Sequence, residues 1–325
     1  MSQLILQAIG AIEANVELVE SPDLQVGAGE ALVRIEAAAI NPVDFMLAAG
    51  TYGYQAQVPF ALGTEGVGRV VRTDDSELLG RRVLILPNYQ QGTWADEVVV
   101  KTSNLIALPD EGDPLQLAML GVNPLTAHLL LKEFVDLRPG DWIGQNLGNS
   151  AVGQYVIGLA AKHLGLKTVS VVRREEAAAK LRELGADLVV VDGDDLAGRI
   201  KQALDGAELT LALDGTGDET IGALAQAVEY GGTVVSYSSV TGQPPVVGLG
   251  DHIYRQLTLR GLWIVNWLTH ASRAEQEKTY TELAGLITSG VLGLDVAATY
   301  PLADYRKALD HAQQAGRSGK VLFRP

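Results

Sequence analysis

The first third of the chain alternates short apolar and polar stretches in a way that predicts strands. Residues 31–36 (ALVRIE) partly alternate, as a half-buried strand does, and similar β-rich runs follow at residues 66–71, 82–86 and 95–100, separated by Gly, Asp, Pro and Asn. Residues 41–53 (NPVDFMLAAGTYG) are interpreted as a loop, in which an apolar run ends in Tyr52, held between two glycines. The pattern predicts a β-rich domain with irregular loops.

The pattern changes near residue 121, where short apolar runs alternate with helix-length segments. The predicted strands are residues 142–145, 168–172, 188–191, 209–213 and 233–237, and two of the predicted helices span residues 151–164 and 175–184. Strands that alternate with helices of this length indicate βαβ units in a parallel sheet, and their apolar runs indicate burial on both faces.

The last part of the chain departs from this alternation. A helix over residues 272–289 precedes a turn, a helix and a final strand. This return predicts an α/β protein in which a discontinuous β-rich domain, residues 1–120 and 291–325, is interrupted by a doubly wound parallel-sheet domain, residues 121–290.

Composition excludes several classes of function. A chain of 325 residues can hold two domains with separate cores, and no run of about 18 apolar residues predicts a membrane span. The first residues lack a basic segment followed by a long apolar one, so the cytoplasm is the expected compartment. The absence of cysteine excludes disulfides and thiolate metal ligands. The net charge of −14 argues against a nucleic-acid partner, because such a surface repels phosphate backbones.

The turn after residues 142–145 is a candidate nucleotide site. Strand, tight turn (QNLGNSAVGQ) and helix follow one another as in a dinucleotide-binding first turn, although GxGxxG is absent and only Gly148 and Gly153 remain. Asn149 and Ser150 can cap the helix or bind a phosphate. On these residues alone, an ordinary capped turn and a pyrophosphate site are equal alternatives.

The end of the next predicted strand favours a particular nucleotide. Arg173 and Arg174 stand where an NAD-binding sheet has an acidic residue for the ribose hydroxyls. Two guanidiniums suit a 2′-phosphate, so NADPH is predicted over NADH. The alternative is a solvated charge cluster with Glu175 and Glu176.

Several segments carry a family resemblance that covers nearly all of residues 32–323. They are NPVDFMLAAGTYG, LGTEGVGRVV, LGVNPLTAHLLL, GQNLGNSAVGQYVIGLAAKHLGLKTVSVVRR and LRGLWIVNW. Together they resemble the medium-chain dehydrogenase/reductase superfamily, most closely its mitochondrial-type trans-2-enoyl-thioester reductases. The resemblance implies a GroES-like catalytic domain interrupted by a Rossmann domain, an active site in the cleft between them, NADPH as hydride donor, and a homodimer formed through the edges of the Rossmann sheets.

Zinc alcohol dehydrogenases of the same superfamily provide an alternative to test. Catalytic zinc there uses cysteine and histidine ligands, but this chain has no cysteine and has Gly63-Thr64-Glu65 where zinc members have Gly-His-Glu. The histidines show no close ligand spacing: His128, His163, His252, His270 and His311. We therefore expect no metal, and chemistry in which a hydrogen-bond donor stabilises an enolate.

The resemblance assigns Tyr52 the role of proton donor at the α-carbon, or of the hydrogen-bond donor that orients the thioester. A phenol is protonated at neutral pH and can do either. The alternative for Tyr52 is an aromatic anchor packed under a loop, and Tyr54 is a nearby competitor outside the motif position.

The resemblance also implies a set of positions that face the cofactor, although the polar ones could equally be turn caps. They are Asn41, Asn123, Thr126, Asn149, Ser150, Ala151, Val152, Gly153, Arg173, Arg174, Tyr237, Ser238, Trp263 and Val265. Trp267 is expected either in the substrate pocket or in a dimer core.

Three functions remain open on the sequence. The first is NADPH-dependent reduction of a trans-2-enoyl thioester, the second is reduction of a quinone or enal, and the third is non-catalytic NADPH binding. A carrier-protein or CoA substrate needs a local basic patch in so acidic a chain, and the candidates are scattered along the sequence: Arg255, Arg260, Arg317 and Lys320.

Overall fold

The computed structural model describes residues 1–21 and 23–325. The chain forms two compact units, Met1–Val122 with Trp267–Pro325, and Asn123–Asn266. The strands are β1 (Ser2–Leu6), β2 (Val16–Glu20), β3 (Glu30–Ala39), β4 (Phe60–Ala61), β5 (Gly66–Thr73), β6 (Arg82–Ile85), β7 (Glu97–Lys101), β8 (Leu105–Ala107), β9 (Trp142–Gln145), β10 (Lys167–Val172), β11 (Leu188–Val191), β12 (Leu209–Asp214), β13 (Val228–Ser236), β14 (Thr258–Gly261), β15 (Val296–Tyr300) and β16 (Lys320–Phe323). The helices are α1 (Ile12–Asn15), α2 (Pro42–Ala49), α3 (Pro114–Leu117), α4 (Asn123–Lys132), α5 (Ala151–Leu159), α6 (Glu175–Leu184), α7 (Leu196–Leu204), α8 (Thr220–Ala225), α9 (Leu249–Tyr254), α10 (Ile264–His270), α11 (Arg273–Thr288) and α12 (Tyr305–Gln313).

The first unit is the predicted β-rich one. A seven-stranded sheet has the order β15-β16-β3-β5-β6-β8, with β7 paired to β3, and a smaller sheet has the order β2-β1-β4. Its core is a cluster of buried aliphatic and aromatic side chains in which Trp94 and Phe323 meet edge to face, with ring centroids 5.1 Å apart. The pairing of β16 with β3 ties the last residues of the chain to the first domain.

The second unit is a six-stranded parallel sheet with the order β11-β10-β9-β12-β13-β14. Numbered within the unit, this order is 3-2-1-4-5-6, the doubly wound arrangement of dinucleotide-binding domains. Helices connect the successive strands, and the central strands β9 and β12 are almost wholly buried. The predicted fold class is therefore confirmed.

Residues Pro42–Ala49 form a helix, so the interpretation of this stretch as part of a loop is wrong. Pro42 occupies the first helical turn, the Asp44 carboxylate accepts a 2.8 Å hydrogen bond from the backbone N–H of Asn41, and Gly50 closes the helix in the left-handed region at φ 70°. These are recognisable start and stop signals in the sequence. Tyr52 therefore lies two residues beyond a helix cap.

The predicted domain boundaries, after residues 120 and 290, stay a prediction, and the compact units change at slightly different places. Residues 267–290 group with the first compact unit, where Arg273 Nη1 of α11 donates to the carbonyl of Ser103 and the Tyr280 hydroxyl donates to that of Gly121.

Among the residues that the structure describes, no helix combines the length and apolar character needed to cross a membrane.

Candidate active site

The Tyr52 hydroxyl is held by a second tyrosine of the first unit. Tyr89 donates a hydrogen bond of 3.0 Å to the Tyr52 oxygen, and the two rings meet edge to face with centroids 5.7 Å apart. Tyr89 is buried, whereas Tyr52 is half-buried. A hydroxyl that accepts one hydrogen bond keeps its own proton to donate elsewhere, so this arrangement suits a proton or hydrogen-bond donor.

A chain of buried polar groups lies at the start of α2. The Lys320 ammonium donates to Asn41 Oδ1 at 2.5 Å, and Asn41 Nδ2 donates to Glu65 Oε1 at 2.7 Å. The second Glu65 oxygen accepts from the backbone N–H of Val122 at 2.8 Å. The Asn41 amide thus bridges a buried cation and a buried carboxylate. Its predicted contact with the cofactor stays a prediction.

Asp44 is a second buried carboxylate of this unit. One of its oxygens accepts from both the hydroxyl (2.5 Å) and the backbone N–H (3.0 Å) of Thr64, which joins α2 to the segment before β5. Burial raises the pKa of Asp44 to about 6, against the hydrogen bonds from Thr64 and Asn41 and the charge of Lys320, which lower it. Thr64 stands at the position where zinc alcohol dehydrogenases have histidine, and its hydroxyl is engaged in a hydrogen bond within the protein.

Burial also dominates the titration of the bridged pair. It raises the pKa of Glu65 above its usual range, opposed by the positive charge of Lys320, and it lowers the pKa of Lys320, opposed by the negative charge of Glu65. Each group therefore stabilises the charged form of the other. Sequence reasoning named Lys320 as one scattered cation and Glu65 as part of a motif, and nothing local in the sequence joined them.

The predicted nucleotide turn lies at the carboxyl end of β9, where the strand order of the parallel sheet reverses. Ser150 caps α5 by accepting a 3.0 Å hydrogen bond from the N–H of Gly153. A Cβ on Gly153 would lie 2.5 Å from the carbonyl oxygen of Gly148, so the helix packs directly on the loop and requires glycine there. The positive end of α5 and this close approach fit a dinucleotide phosphate.

Arg173 and Arg174 follow β10 at the same edge of the sheet, and both side chains are exposed. In the described part of the chain neither forms an ion pair, whereas Arg182 on α6 is paired with Glu175 at 3.0 Å. The structure therefore shows no direct contact between these arginines and Glu175 within the described residues, and a solvated charge cluster remains the alternative. Two adjacent, exposed guanidiniums would suit a 2′-phosphate, and this assignment stays a prediction.

Replacing both Arg173 and Arg174 with Ala is expected to weaken NADPH binding about 10²-fold, because charge-assisted hydrogen bonds to a phosphate are lost. The Kd of NADH, which lacks that phosphate, should change little. Titration calorimetry with both nucleotides provides the measurement, and Arg182→Ala is a matched control on the neighbouring helix. Equal losses for NADPH and NADH would contradict the assignment.

The sequence analysis did not predict a cluster of hydrogen bonds at the point where the strand order of the parallel sheet reverses. Asp214, at the end of β12, is fully buried and accepts from Asn146 Nδ2 at 2.8 Å and from the Ser236 hydroxyl at 2.9 Å. Asn146 Oδ1 in turn accepts from the N–H of Gly215 at 2.7 Å. These contacts hold the carboxyl ends of β9, β12 and β13 together. The dipeptide Asp214-Gly215, directly after the predicted strand 209–213, was the one sequence feature that indicated a turn at this place.

The remaining predicted positions are divided between the two units. Tyr52, Asn41 and Trp267 belong to the first unit, and the other predicted cofactor positions belong to the second. Burial raises the pKa of the Tyr237 phenol, and the hydroxyl of Ser150 in the nucleotide turn opposes that rise. The others range from buried to exposed: Asn123, Thr126 and Gly153 are buried, Ala151, Val152, Val265 and Trp267 are half-buried, and Asn149, Ser238 and Trp263 are exposed.

Comparison with known proteins places both units in one family of enzymes. Residues 27–110 match the alcohol dehydrogenase GroES-like domain, and residues 151–284 match the zinc-binding dehydrogenase model. The mitochondrial enoyl-[acyl-carrier-protein] reductase of Homo sapiens is 34% identical over 318 residues, which cover 94% of this chain and 85% of that protein.

Two solved structures extend the similarity to the whole fold. A putative NADPH:quinone reductase from Bacillus thuringiensis has a TM-score of 0.92 and 25% identity, covering 100% of this chain and 98% of the other. A mycobacterial protein solved in complex with NADPH has a TM-score of 0.86 and 25% identity, covering 100% of both chains. The chain therefore belongs to the medium-chain dehydrogenase/reductase superfamily, in the family that includes the mitochondrial enoyl-[acyl-carrier-protein] reductases.

Proposed function

We propose that this protein reduces the C=C bond of a trans-2-enoyl thioester at the expense of NADPH. The observation that carries the proposal is the similarity to an enoyl-[acyl-carrier-protein] reductase along 94% of the chain. The Tyr52 hydroxyl supported by Tyr89, and the exposed guanidiniums of Arg173 and Arg174, are the donor and the phosphate-binding groups that we assign to this reaction.

The chemistry follows from where charge develops. When bound, NADPH supplies the hydride that forms the new C–H bond at the β-carbon. The electron pair of the C=C bond then moves toward the carbonyl, and the resulting enolate needs a hydrogen-bond donor at oxygen or a proton at the α-carbon. Tyr52 provides that O–H group. Arg173 and Arg174 would hold the 2′-phosphate, and the N-terminus of α5 would hold the pyrophosphate.

Quinone or enal reduction is the second candidate function. It is favoured by the 0.92 TM-score with a putative NADPH:quinone reductase, at 25% identity. The net charge of −14 also disfavours an acidic carrier protein as the partner that delivers the substrate. Small acyl-CoA thioesters, which still need a local basic patch for their phosphates but carry fewer negative charges, are the preferred enoyl substrates in this proposal. Non-catalytic NADPH binding, the third function open on the sequence, would leave the Tyr52–Tyr89 pair without a role.

The substrate class is tested by following NADPH oxidation with crotonyl-CoA, a longer enoyl-CoA, 1,4-benzoquinone and a simple enal. We expect turnover of at least one thioester with a higher kcat/KM than that of the quinone. Turnover of quinone with no reaction of either thioester would refute the proposal. Tight NADPH binding without any turnover would instead favour non-catalytic binding.

We also propose that the protein is a homodimer formed through β14. This strand is the edge of the parallel sheet, and all four of its residues are exposed. The adjacent helix α9 has no buried residue, and Leu249 and Tyr254 on it are 72% and 80% exposed. An unpaired strand edge beside apolar side chains is a surface that a second copy can cover by continuing the sheet.

Leu259→Glu on β14 is expected to convert the dimer into a monomer of about 34.5 kDa, because two carboxylates would face each other across a two-fold axis. Light scattering after size exclusion gives the mass. Leu79→Glu, at an exposed leucine of the other unit, is the control and should leave the dimer intact. A monomeric wild-type protein would refute the proposal. The cytoplasm remains the predicted compartment, which cell fractionation would check.

A further inference from the structure

We propose that Tyr89 is a positioning residue for the proton donor: it orients the Tyr52 hydroxyl and stabilises the negative charge left on its oxygen after proton transfer. This inference rests on the proposed function and deepens it, because it assigns a role to a side chain outside the predicted set. The contact between the two hydroxyls, 3.0 Å across 37 positions of sequence, is its starting observation.

The direction of the hydrogen bond determines what Tyr89 can do. Of the two hydroxyls, which lie 3.0 Å apart, that of Tyr89 is the more deeply buried and holds its proton more firmly, so we assign it as the donor, which leaves the Tyr52 proton for a different acceptor. Burial raises the pKa of the Tyr89 phenol, and the nearby Tyr52 hydroxyl and the carboxylates of Asp44 and Glu65 raise it further. Tyr89 therefore stays protonated and acts as a permanent donor.

The surroundings hold Tyr89 in one orientation. Its ring is stacked on that of Tyr54, with centroids 5.0 Å apart and planes inclined by 29°, and is edge to face with Tyr52. Its backbone has φ 61°, in the left-handed region that is rare for a bulky side chain. Such a conformation persists where neighbouring contacts enforce it, and it is found at positions that serve a site.

The O–H bond of Tyr52 breaks as a C–H bond forms at the α-carbon, and the negative charge of the enolate passes to the Tyr52 oxygen. The hydrogen bond from Tyr89 becomes charge-assisted at that moment and is stronger than in the resting protein. Solvent then returns a proton to the half-buried Tyr52. Tyr89 keeps its own proton throughout.

Tyr89→Phe is the first test, because it removes the hydroxyl and keeps the ring that stacks on Tyr54. With crotonyl-CoA as substrate we expect kcat to fall about fivefold to tenfold, with the Kd of NADPH unchanged. In a Tyr52→Phe background the same substitution should have no further effect on kcat. Equal effects in the two backgrounds would refute the inference. Tyr54→Phe, which removes a hydroxyl from the same ring cluster, is the control.

A spectroscopic test needs no substrate, so it separates this inference from the proposed function. Protein labelled with [ζ-13C]tyrosine gives resonances from 10 tyrosines, and the Tyr52 resonance is the one absent in Tyr52→Phe. At constant pH, Tyr89→Phe should shift that resonance, whereas Tyr54→Phe should not. An unmoved Tyr52 resonance would overturn the role of Tyr89 even if thioesters are reduced. A shifted resonance in a protein that reduces no thioester would refute only the proposed substrate.

Discussion

Replacing Tyr52 with Phe is expected to lower kcat for crotonyl-CoA reduction about 10²-fold and to leave the Kd of NADPH nearly unchanged. The phenyl ring preserves the edge-to-face contact with Tyr89, so the variant removes the donor and little else. A positioned general acid contributes about 10²-fold or more to a rate, which sets the expected size of the effect. Steady-state kinetics and a nucleotide titration on the same preparation give both quantities.

Tyr54→Phe is the matched control for this prediction, because Tyr54 lies two residues away in the same aromatic cluster. Its kcat should stay within about twofold of wild type, because Tyr54 lies outside the motif position to which the donor role is assigned. If Tyr52→Phe kept full activity, Tyr52 would be a packing residue, and another group would have to supply the proton.

Lys320→Met is expected to destabilise the protein by about 3 kcal/mol. Lys320 is 6% exposed and Glu65 is 0% exposed, and the Asn41 amide connects them. Removing the cation leaves a buried carboxylate without its compensating charge, which is among the most costly single changes in a protein. Urea denaturation gives the free energy of unfolding. The control is Lys307→Met at the exposed ion pair with Asp304, where a loss below about 1 kcal/mol is expected.

The destabilisation by Lys320→Met should depend on pH in a definite direction. In the variant the folded state favours protonated Glu65 even more than in wild type, so the variant gains stability as the pH falls toward the ordinary pKa of a glutamate. The folded pKa of Glu65 is about 7 in wild type, so both proteins lose stability alike between the ordinary glutamate pKa of 4.5 and about 7, and only the variant goes on losing it at higher pH. The difference from wild type should therefore be nearly constant between about pH 5 and 6 and grow from about pH 7 to pH 8, by at most about 1.4 kcal/mol per pH unit. A pH-independent difference would indicate that lost packing, rather than lost charge, causes the destabilisation.

Asp44 is present in wild type and in the Lys320→Met variant, and its titration makes the free energy of unfolding of each depend on pH. Its folded pKa of about 6 is above the usual value of 3.8, so the fold favours the protonated carboxyl. The stability that it contributes is fully present below the unfolded pKa and is lost as the pH rises through about 6. Because this contribution occurs in wild type and variant alike, it largely cancels from the difference between them.

The parallel sheet was predictable because its signal is local. Residues 142–145 and 188–191 were predicted with the bounds of β9 and β11, since a strand buried on both faces reads as a short continuous apolar run. The strand predicted at 233–237 begins earlier, at Val228. Its first half contains Tyr230, Gly231 and Gly232, which resemble a turn when tertiary pairing is not known.

The buried groups around the candidate site were less predictable because their contacts are distant in sequence. Lys320 and Asn41 lie 279 positions apart, and they meet because β16 pairs with β3 at Leu322 and Ala39. Tyr89 reaches Tyr52 from a loop whose left-handed backbone no local pattern indicates. The helix α2 is a different case, since its capping residues were visible and the apolar run between them obscured the helical period.

In the proposed reaction, this protein delivers a hydride to the β-carbon of an enoyl thioester and a proton to its α-carbon. The most direct measurement is the position of the label in the product formed from crotonyl-CoA and NADPH that carries two deuterium atoms at C4 of the nicotinamide. We predict butyryl-CoA with one deuterium at the β-carbon and none at the α-carbon or at C1. Deuterium at C1, from reduction of the carbonyl, or complete recovery of unlabelled crotonyl-CoA would contradict the claim.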